Sequence, residues 1–139
     1  KGFNPIPTAE GWQLSNAPIL SMAAHKASLD IFEAAGMDNL IAKGKLLSDY
    51  LFFILDQINT VSAKKLIEVI TPREEKEKGC QVSMLMLEKG KEVFEALKQH
   101  GVLADWREPN VIRVAPVPLY NTFTDVFTFG QIVKTILNK

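Results

Sequence analysis

One arginine stands out among the few residues of this chain that could do chemistry. Arg113 lies in the apolar stretch Val111 to Ala115, whose β-branched composition predicts a strand. Its side chain then shares a face with Val111 and Ala115, whereas Ile112 and Val114 point to the other face. An unpaired buried charge is costly, so Arg113 needs a partner. That partner is either an internal Asp or Glu or an anionic ligand, because a guanidinium serves both purposes equally well.

Other signatures of a catalytic or metal site are missing from the sequence. It has two histidines, His25 and His100, and one cysteine, Cys80. No Cys/His cluster with zinc-ligand spacing, Gly-rich phosphate loop or nucleophile elbow is present. His100 is predicted to interact with the end of a helix. Cys80 is interpreted as a small buried apolar residue.

Composition limits the classes of function. The chain has 139 residues, of which 47% are hydrophobic, and this predicts one globular domain with its own core. Sixteen Lys and Arg balance sixteen Asp and Glu, so net charge recruits neither nucleic acid nor an anionic membrane. No signal peptide or apolar run of membrane-spanning length occurs. A single cysteine fits a reducing compartment, so we expect a soluble cytoplasmic protein.

Helical spacing predicts two helices in the first part of the chain. Ser15 or Asn16 is the predicted N-cap of the first helix, with Pro18 in its first turn, and Gly36 is predicted to end it with a left-handed cap. A second helix, capped by Asp38 or Asn39, should bury the apolar residues that recur along it, Leu40, Leu47, Leu51, Ile54 and Ile58.

Strands alternate with helices in the rest of the chain. Predicted strands are Leu66 to Ile70, Cys80 to Leu87, Val102 to Trp106 and Val111 to Ala115, and the turn "REPN" joins the last two as a hairpin. Predicted helices are Gly90 to His100 and Phe123 to Leu137. Thr122 and Asp125 are predicted to form a capping box at the start of the second of these helices. Its predicted buried residues are Val126, Phe127, Ile132, Val133, Ile136 and Leu137. The charged stretch Arg73 to Gly79 is predicted to be a solvated loop. The fold class is therefore α+β, a small mixed or antiparallel sheet with helices packed on it.

Three separated stretches resemble the C-terminal part of the kynureninase family. They are "GWQLSNAPIL" at Gly11 to Leu20, "GCQVS" at Gly79 to Ser83 and "RVAPVPLYNTF" at Arg113 to Phe123, and they occur in the family's order along nearly the whole chain. The resemblance implies a homodimeric, pyridoxal-phosphate-dependent hydrolase of aspartate-aminotransferase-like fold. Such an enzyme splits kynurenine, or its 3-hydroxy form, into an anthranilate and alanine in tryptophan catabolism.

The same resemblance implies roles for individual residues. Arg113 matches the family arginine that binds the substrate α-carboxylate, and Asn16 matches an asparagine near the aryl-ketone end of the substrate. A helix N-cap is the alternative role for Asn16. We expect Trp12 to pack, and Tyr120 and Asn121 to shape the turn after the strand.

The resemblance also implies what this chain does not contain. The family's Schiff-base lysine and its other cofactor-binding residues belong to a large domain, so no catalytic, cofactor-binding or metal residue is assigned here. Residues 1–16 are expected to lead from that large domain, and residues 17–139 to form the small domain. We expect this piece alone to lack the cofactor and activity, and to self-associate through exposed apolar surface. The alternatives are the small domain of another enzyme of this fold, an aminotransferase or a cysteine desulfurase, and a stand-alone ligand-binding module.

Overall fold

A computed structural model describes residues 2–62 and 64–138, and the chain divides into two compact units, Lys1–Met37 and Asp38–Lys139. The first unit contains a short 3-10 helix, Ala9–Trp12, and helix α1, Ile19–Ala35. None of its described residues is buried. No helix in the described part of the chain is long and apolar enough to cross a membrane.

Helix α1 ends where predicted but begins later. Gly36 has a φ of 79° and its N–H bonds to the carbonyls of Phe32 and Glu33, so the predicted glycine stop is confirmed. Pro18 is the N-cap and no side chain caps the helix, so the prediction of Ser15 or Asn16 as cap is wrong. A proline excludes helical geometry at the preceding residue, which keeps the helix from starting before Pro18.

The second unit is a four-stranded antiparallel sheet with helices. Its elements are α2 (Met37–Thr60), β1 (Ile67–Val69), β2 (Val82–Met86), α3 (Gly90–Gln99), β3 (Asp105–Arg107), β4 (Val111–Val114) and α4 (Phe123–Leu137). The strand order is β1-β2-β4-β3. Helix α2 starts directly after Gly36, so Asp38 and Asn39 lie in its first turn and the prediction that either caps it is wrong. The predicted α+β class and the β3–β4 hairpin are confirmed.

One face of the sheet carries the core. Val82, Met84 and Met86 are buried at alternate positions of β2, and Ile112 lies opposite Met84 on the same face. All five apolar residues predicted to be buried on α2 are buried. On α4 the buried stripe runs through Val126, Phe129, Val133 and Leu137, at helical spacing. Phe127 lies beside that stripe and is exposed, so its predicted burial is wrong.

The charged stretch after β1 is attached to helix α2. Both Nη atoms of Arg73 donate to the carboxylate of Asp56, at 2.9 and 2.7 Å. The Nζ of Lys78 donates to Asp49 at 2.5 Å and lies 4.5 Å from the ring centre of Phe52. Only 6% of the Lys78 side chain is exposed, so the prediction of a wholly solvated loop is wrong at this residue.

Candidate carboxylate-binding site

Arg113 lies on the face of the sheet opposite the core. Strand β4 pairs with β2 and β3, and Arg113 stands directly between Ser83 of β2 and Asp105 of β3. Side chains alternate across a strand, so burial of Ile112 on the core face directs Arg113 to the other face. About a third of the Arg113 side chain, 31%, is exposed. The guanidinium is therefore held by a strand within the sheet and is still accessible.

Asp105 is the internal partner of Arg113. The Nε of Arg113 donates to Oδ2 of Asp105 at 2.6 Å, and Nη2 contacts the same oxygen. The Nε of Arg107 also donates to Oδ2, at 2.9 Å. The hydrogen bond from Arg113, reinforced by that from Arg107, holds the pKa of Asp105 below its ordinary value. Three charged side chains thus meet at one carboxylate oxygen.

The internal pair does not exhaust the hydrogen-bonding capacity of Arg113. A guanidinium has five N–H donors arranged in a planar fork. Among the described residues, no partner contacts Nη1 of Arg113, and Nη2 has a second hydrogen that points away from Nε. The edge between Nη1 and Nη2 has the geometry that accepts a second carboxylate in a bidentate contact. Internal carboxylate and anionic ligand are therefore compatible partners.

The chain beyond Arg113 is held in a tight turn. Asn121 Oδ1 accepts a hydrogen bond from the Val117 N–H at 2.8 Å, and the Asn121 N–H donates to the Val117 carbonyl at 2.8 Å. From α2, the Nζ of Lys43 donates to the Pro118 carbonyl at 2.7 Å. Asn121 thus shapes the turn as predicted. The Tyr120 N–H also donates to the Val117 carbonyl, at 3.3 Å, while the Tyr120 side chain is exposed.

An open cleft of about 480 Å³ lies beside the end of β4. Its lining includes Val114 and Pro116, Tyr120 and Asn121 from the turn, and His100 from the end of α3. No lysine lines it. His100 is committed to its own helix, because its Nδ1 donates to the Ala96 carbonyl at 2.7 Å, and this confirms its predicted helix-end role. Within the described residues, no group of three or more His, Cys, Asp and Glu could hold a metal ion.

Asn16 belongs to the first unit, whereas Arg113 belongs to the second. Asn16 lies in a bend two residues before Pro18, and it is exposed. The alternative role as N-cap of α1 is therefore wrong, and the substrate role stays a prediction. Trp12 has 87% of its surface exposed, so the packing expected of it is not found in the described chain. Cys80 is half-buried, and its Sγ would lie 3.1 Å from a Cβ added at Gly44 on α2.

Two site residues were not predicted from the sequence. Asp105 and Arg107 are ordinary charged residues near a turn, and only the β3–β4 register brings them to Arg113. A search for acidic residues on the partner strand of the predicted hairpin was the available signal. Lys43 is separated from Pro118 by 75 residues, so no local pattern marks that contact.

Comparison with known proteins gives one consistent family. A kynureninase from Flavobacterium psychrophilum is 46% identical over 132 residues, which is 95% of this chain and 31% of that protein. A kynureninase from Christiangramia forsetii is 48% identical over 138 residues, covering 99% of this chain and 32% of its own length. The chain thus spans about a third of the length of these relatives.

Solved structures agree on the fold. A NifS-like protein superposes with a TM-score of 0.70 at 15% identity, over 89% of this chain and 35% of its own. An acetylornithine aminotransferase from Elizabethkingia anophelis superposes with a TM-score of 0.60 at 20% identity, over 94% of this chain and 33% of its own. These likenesses confirm the aspartate-aminotransferase-like fold. The sequence model of the kynureninase C-terminal domain matches residues 40–133, and the chain belongs to that family.

Proposed function

We propose that this chain is the carboxylate-binding domain of a kynureninase. The complete enzyme would hydrolyse L-kynurenine, or its 3-hydroxy form, to anthranilate or 3-hydroxyanthranilate and L-alanine. Family membership and the names of the relatives support this reaction. The observation that carries the proposal is Arg113, whose guanidinium is partly exposed, fixed on a strand and open along one edge.

Arg113 would bind the α-carboxylate of the amino-acid substrate. A bidentate contact fixes both the position and the plane of a carboxylate, which orients the rest of the substrate for reaction. Asn16 would act at the other end of the substrate, beside the aryl ketone.

Pyridoxal phosphate is the cofactor of the proposed enzyme, and it supplies the electron sink for the reaction. The described residues do not fit a site for it. A lysine that forms a Schiff base needs an amine whose pKa is lowered. The described lysines whose Nζ has a hydrogen-bond or ion-pair partner instead hold carboxylates or a carbonyl, and the hydrogen bond to Glu75 raises the pKa of Lys45. No step of the reaction is therefore assigned to a lysine of this chain.

The complete enzyme would be a homodimer whose cofactor site lies outside these residues. The boundary between residues 16 and 17 and the cytoplasmic location stay predictions. The chain alone, mixed with pyridoxal phosphate and L-kynurenine, is expected to release no anthranilate. Anthranilate release by the purified chain would contradict this assignment.

The carboxylate role is tested in the complete gene product that contains this chain. Arg113→Gln should raise KM for L-kynurenine by about a hundredfold, because a bidentate charged contact contributes on the order of 3 kcal/mol. Kynuramine, the amine that remains when kynurenine loses its α-carboxylate, should inhibit wild type and variant equally. Arg73→Gln is the matched control. Arg73 also makes two hydrogen bonds to a carboxylate, but that carboxylate is Asp56 on helix α2. Equal losses of affinity for both compounds would contradict the proposal.

A further inference from the structure

Asp105 and Arg107 surround Arg113 in a way that a simple salt bridge does not require. We propose that Asp105 is a positioning residue that directs the open edge of Arg113 toward the substrate carboxylate, and that Arg107 restores the positive charge that Asp105 would cancel. This inference rests on the proposed function of Arg113. It assigns roles to two residues that do not themselves touch the substrate.

The orienting role follows from which donors Asp105 occupies. Oδ2 of Asp105 lies against Nε at 2.6 Å and also against Nη2, so it covers the inner edge of the guanidinium. A planar group held along one edge cannot rotate about Nε without breaking these contacts. Asp105 and Arg113 are directly opposite in the β3–β4 ladder, so the backbone sets their separation. The outer edge, between Nη1 and Nη2, is thereby kept in one direction.

The charge-balancing role follows from the shared oxygen. An isolated pair of Arg113 and Asp105 has no net charge and would attract a carboxylate weakly. Arg107 donates to the same Oδ2 at 2.9 Å, so two guanidinium groups and one carboxylate leave a net charge of plus one. An ordinary carboxyl is ionised at neutral pH, and the hydrogen bond from Arg113 lowers the pKa of Asp105 further, so this balance persists there. Arg107 itself is 60% exposed and is not otherwise needed by the core.

The test uses three variants of the complete gene product. Asp105→Ala removes the orienting contact, Asp105→Asn keeps an oxygen acceptor but removes the charge, and Arg107→Gln removes only the balancing charge. Steady-state kinetics with L-kynurenine give KM and kcat, and inhibition by kynuramine reports binding that needs no carboxylate. Thermal unfolding of each variant establishes that it is folded.

We expect Asp105→Ala to raise KM for L-kynurenine by about tenfold or more, the loss expected for one charged hydrogen bond. Arg107→Gln should raise it several-fold, and this effect should shrink at high salt because the charge is exposed. Asp105→Asn should fall between wild type and Asp105→Ala. The inhibition constant of kynuramine should stay at its wild-type value in all three.

Asp56→Asn is the matched control, because Asp56 likewise holds an arginine, Arg73, on the same unit. It should leave both the KM for L-kynurenine and the inhibition constant of kynuramine unchanged. If Arg113→Gln weakens L-kynurenine selectively but Asp105→Ala does not, the positioning role is overturned while the proposed function stands. If Arg113→Gln has no selective effect, the proposed function itself fails. If Asp105→Ala does not fold, the result for Asp105→Asn decides: a KM equal to that of wild type overturns the positioning role.

Discussion

The Nζ of Lys43 on α2 donates a 2.7 Å hydrogen bond to the carbonyl of Pro118, in the turn that follows β4. This contact joins the long helix to the segment that leaves the strand of Arg113. The turn is closed from within by Asn121, so it is held from two sides. A rigid exit from β4 limits the positions that Arg113 can adopt.

Replacing Lys43 by Met should loosen this turn. Methionine keeps most of the aliphatic stem but donates no hydrogen bond, so the free energy of unfolding should fall by roughly 1 kcal/mol. Urea unfolding of the chain measures the change. Lys65→Met is the control, because Lys65 makes an exposed ion pair with Glu68 at 3.5 Å and should have little effect. Equal losses for the two variants would show that the Pro118 contact contributes nothing of its own.

Gly130 is required by close contact between α4 and α2. A Cβ added at Gly130 would overlap Cγ2 of Ile54 and lie 3.5 Å from its Cδ1. Gly130→Ala should therefore lower the free energy of unfolding by about 1 to 3 kcal/mol, despite the better helix propensity of alanine. Combined with Ile54→Ala, which removes Cγ2, the loss should be clearly less than the sum of the two single losses. Additive losses in urea unfolding would rule out this contact as the cause.

The buried charge of Lys78 is stabilised by Asp49, because the Lys78 side chain is almost fully buried. Asp49→Asn removes the negative charge 2.5 Å from Nζ and leaves an ammonium group over the Phe52 ring. We expect a loss of roughly 1 to 2 kcal/mol, since one partner of a charged hydrogen bond is removed while the other stays covered. Lys78→Met should cost less than Asp49→Asn, because the methionine stem can still pack on Phe52. The reverse order in urea unfolding would contradict this account.

Local signals were sufficient for much of the fold. Helix α4 begins and ends at the predicted residues, and it begins there because Thr122 and Asp125 form the capping box that their spacing predicts. Phe127 was wrongly placed in the core and Phe129 was overlooked, since both are large apolar residues. Only packing against α2 and the sheet determines which of the two is buried.

The site was predictable only in part, because strand register is not a local property. A four-residue connection from Arg107 to Asn110 would set Trp106 opposite Val111. The observed ladder sets Arg107 opposite Val111, a shift of one residue that brings Asp105 opposite Arg113. A one-residue shift moves every side chain of a strand to the other face. Arg113 could therefore be identified from its unusual neighbours, whereas Asp105 could be found only as an acidic residue of the neighbouring strand and not as the residue opposite Arg113.

The capping box of α4 should make stability depend on pH in the acid range. The Thr122 N–H donates to Oδ2 of Asp125 at 2.8 Å, and the Asp125 N–H donates to the Thr122 hydroxyl at 3.2 Å. The backbone bond from Thr122, followed by its side-chain bond, lowers the pKa of Asp125 below the ordinary 3.8. A lowered carboxyl pKa contributes stability that is fully present above the unfolded value and is lost as pH falls through the folded one.

Asp125→Asn should therefore reduce the pH dependence of unfolding below about pH 4, a window set by the ordinary carboxyl pKa. At neutral pH, Thr122→Ala should lower the free energy of unfolding by roughly 1 kcal/mol, the usual contribution of an N-cap. The two substitutions break one reciprocal pair, so their combined effect should be less than additive. Urea unfolding of all four proteins from about pH 3, below the ordinary carboxyl pKa, to about pH 7, where carboxyls are ionised, measures both effects. Parallel pH profiles for wild type and Asp125→Asn would exclude Asp125 as the titrating group.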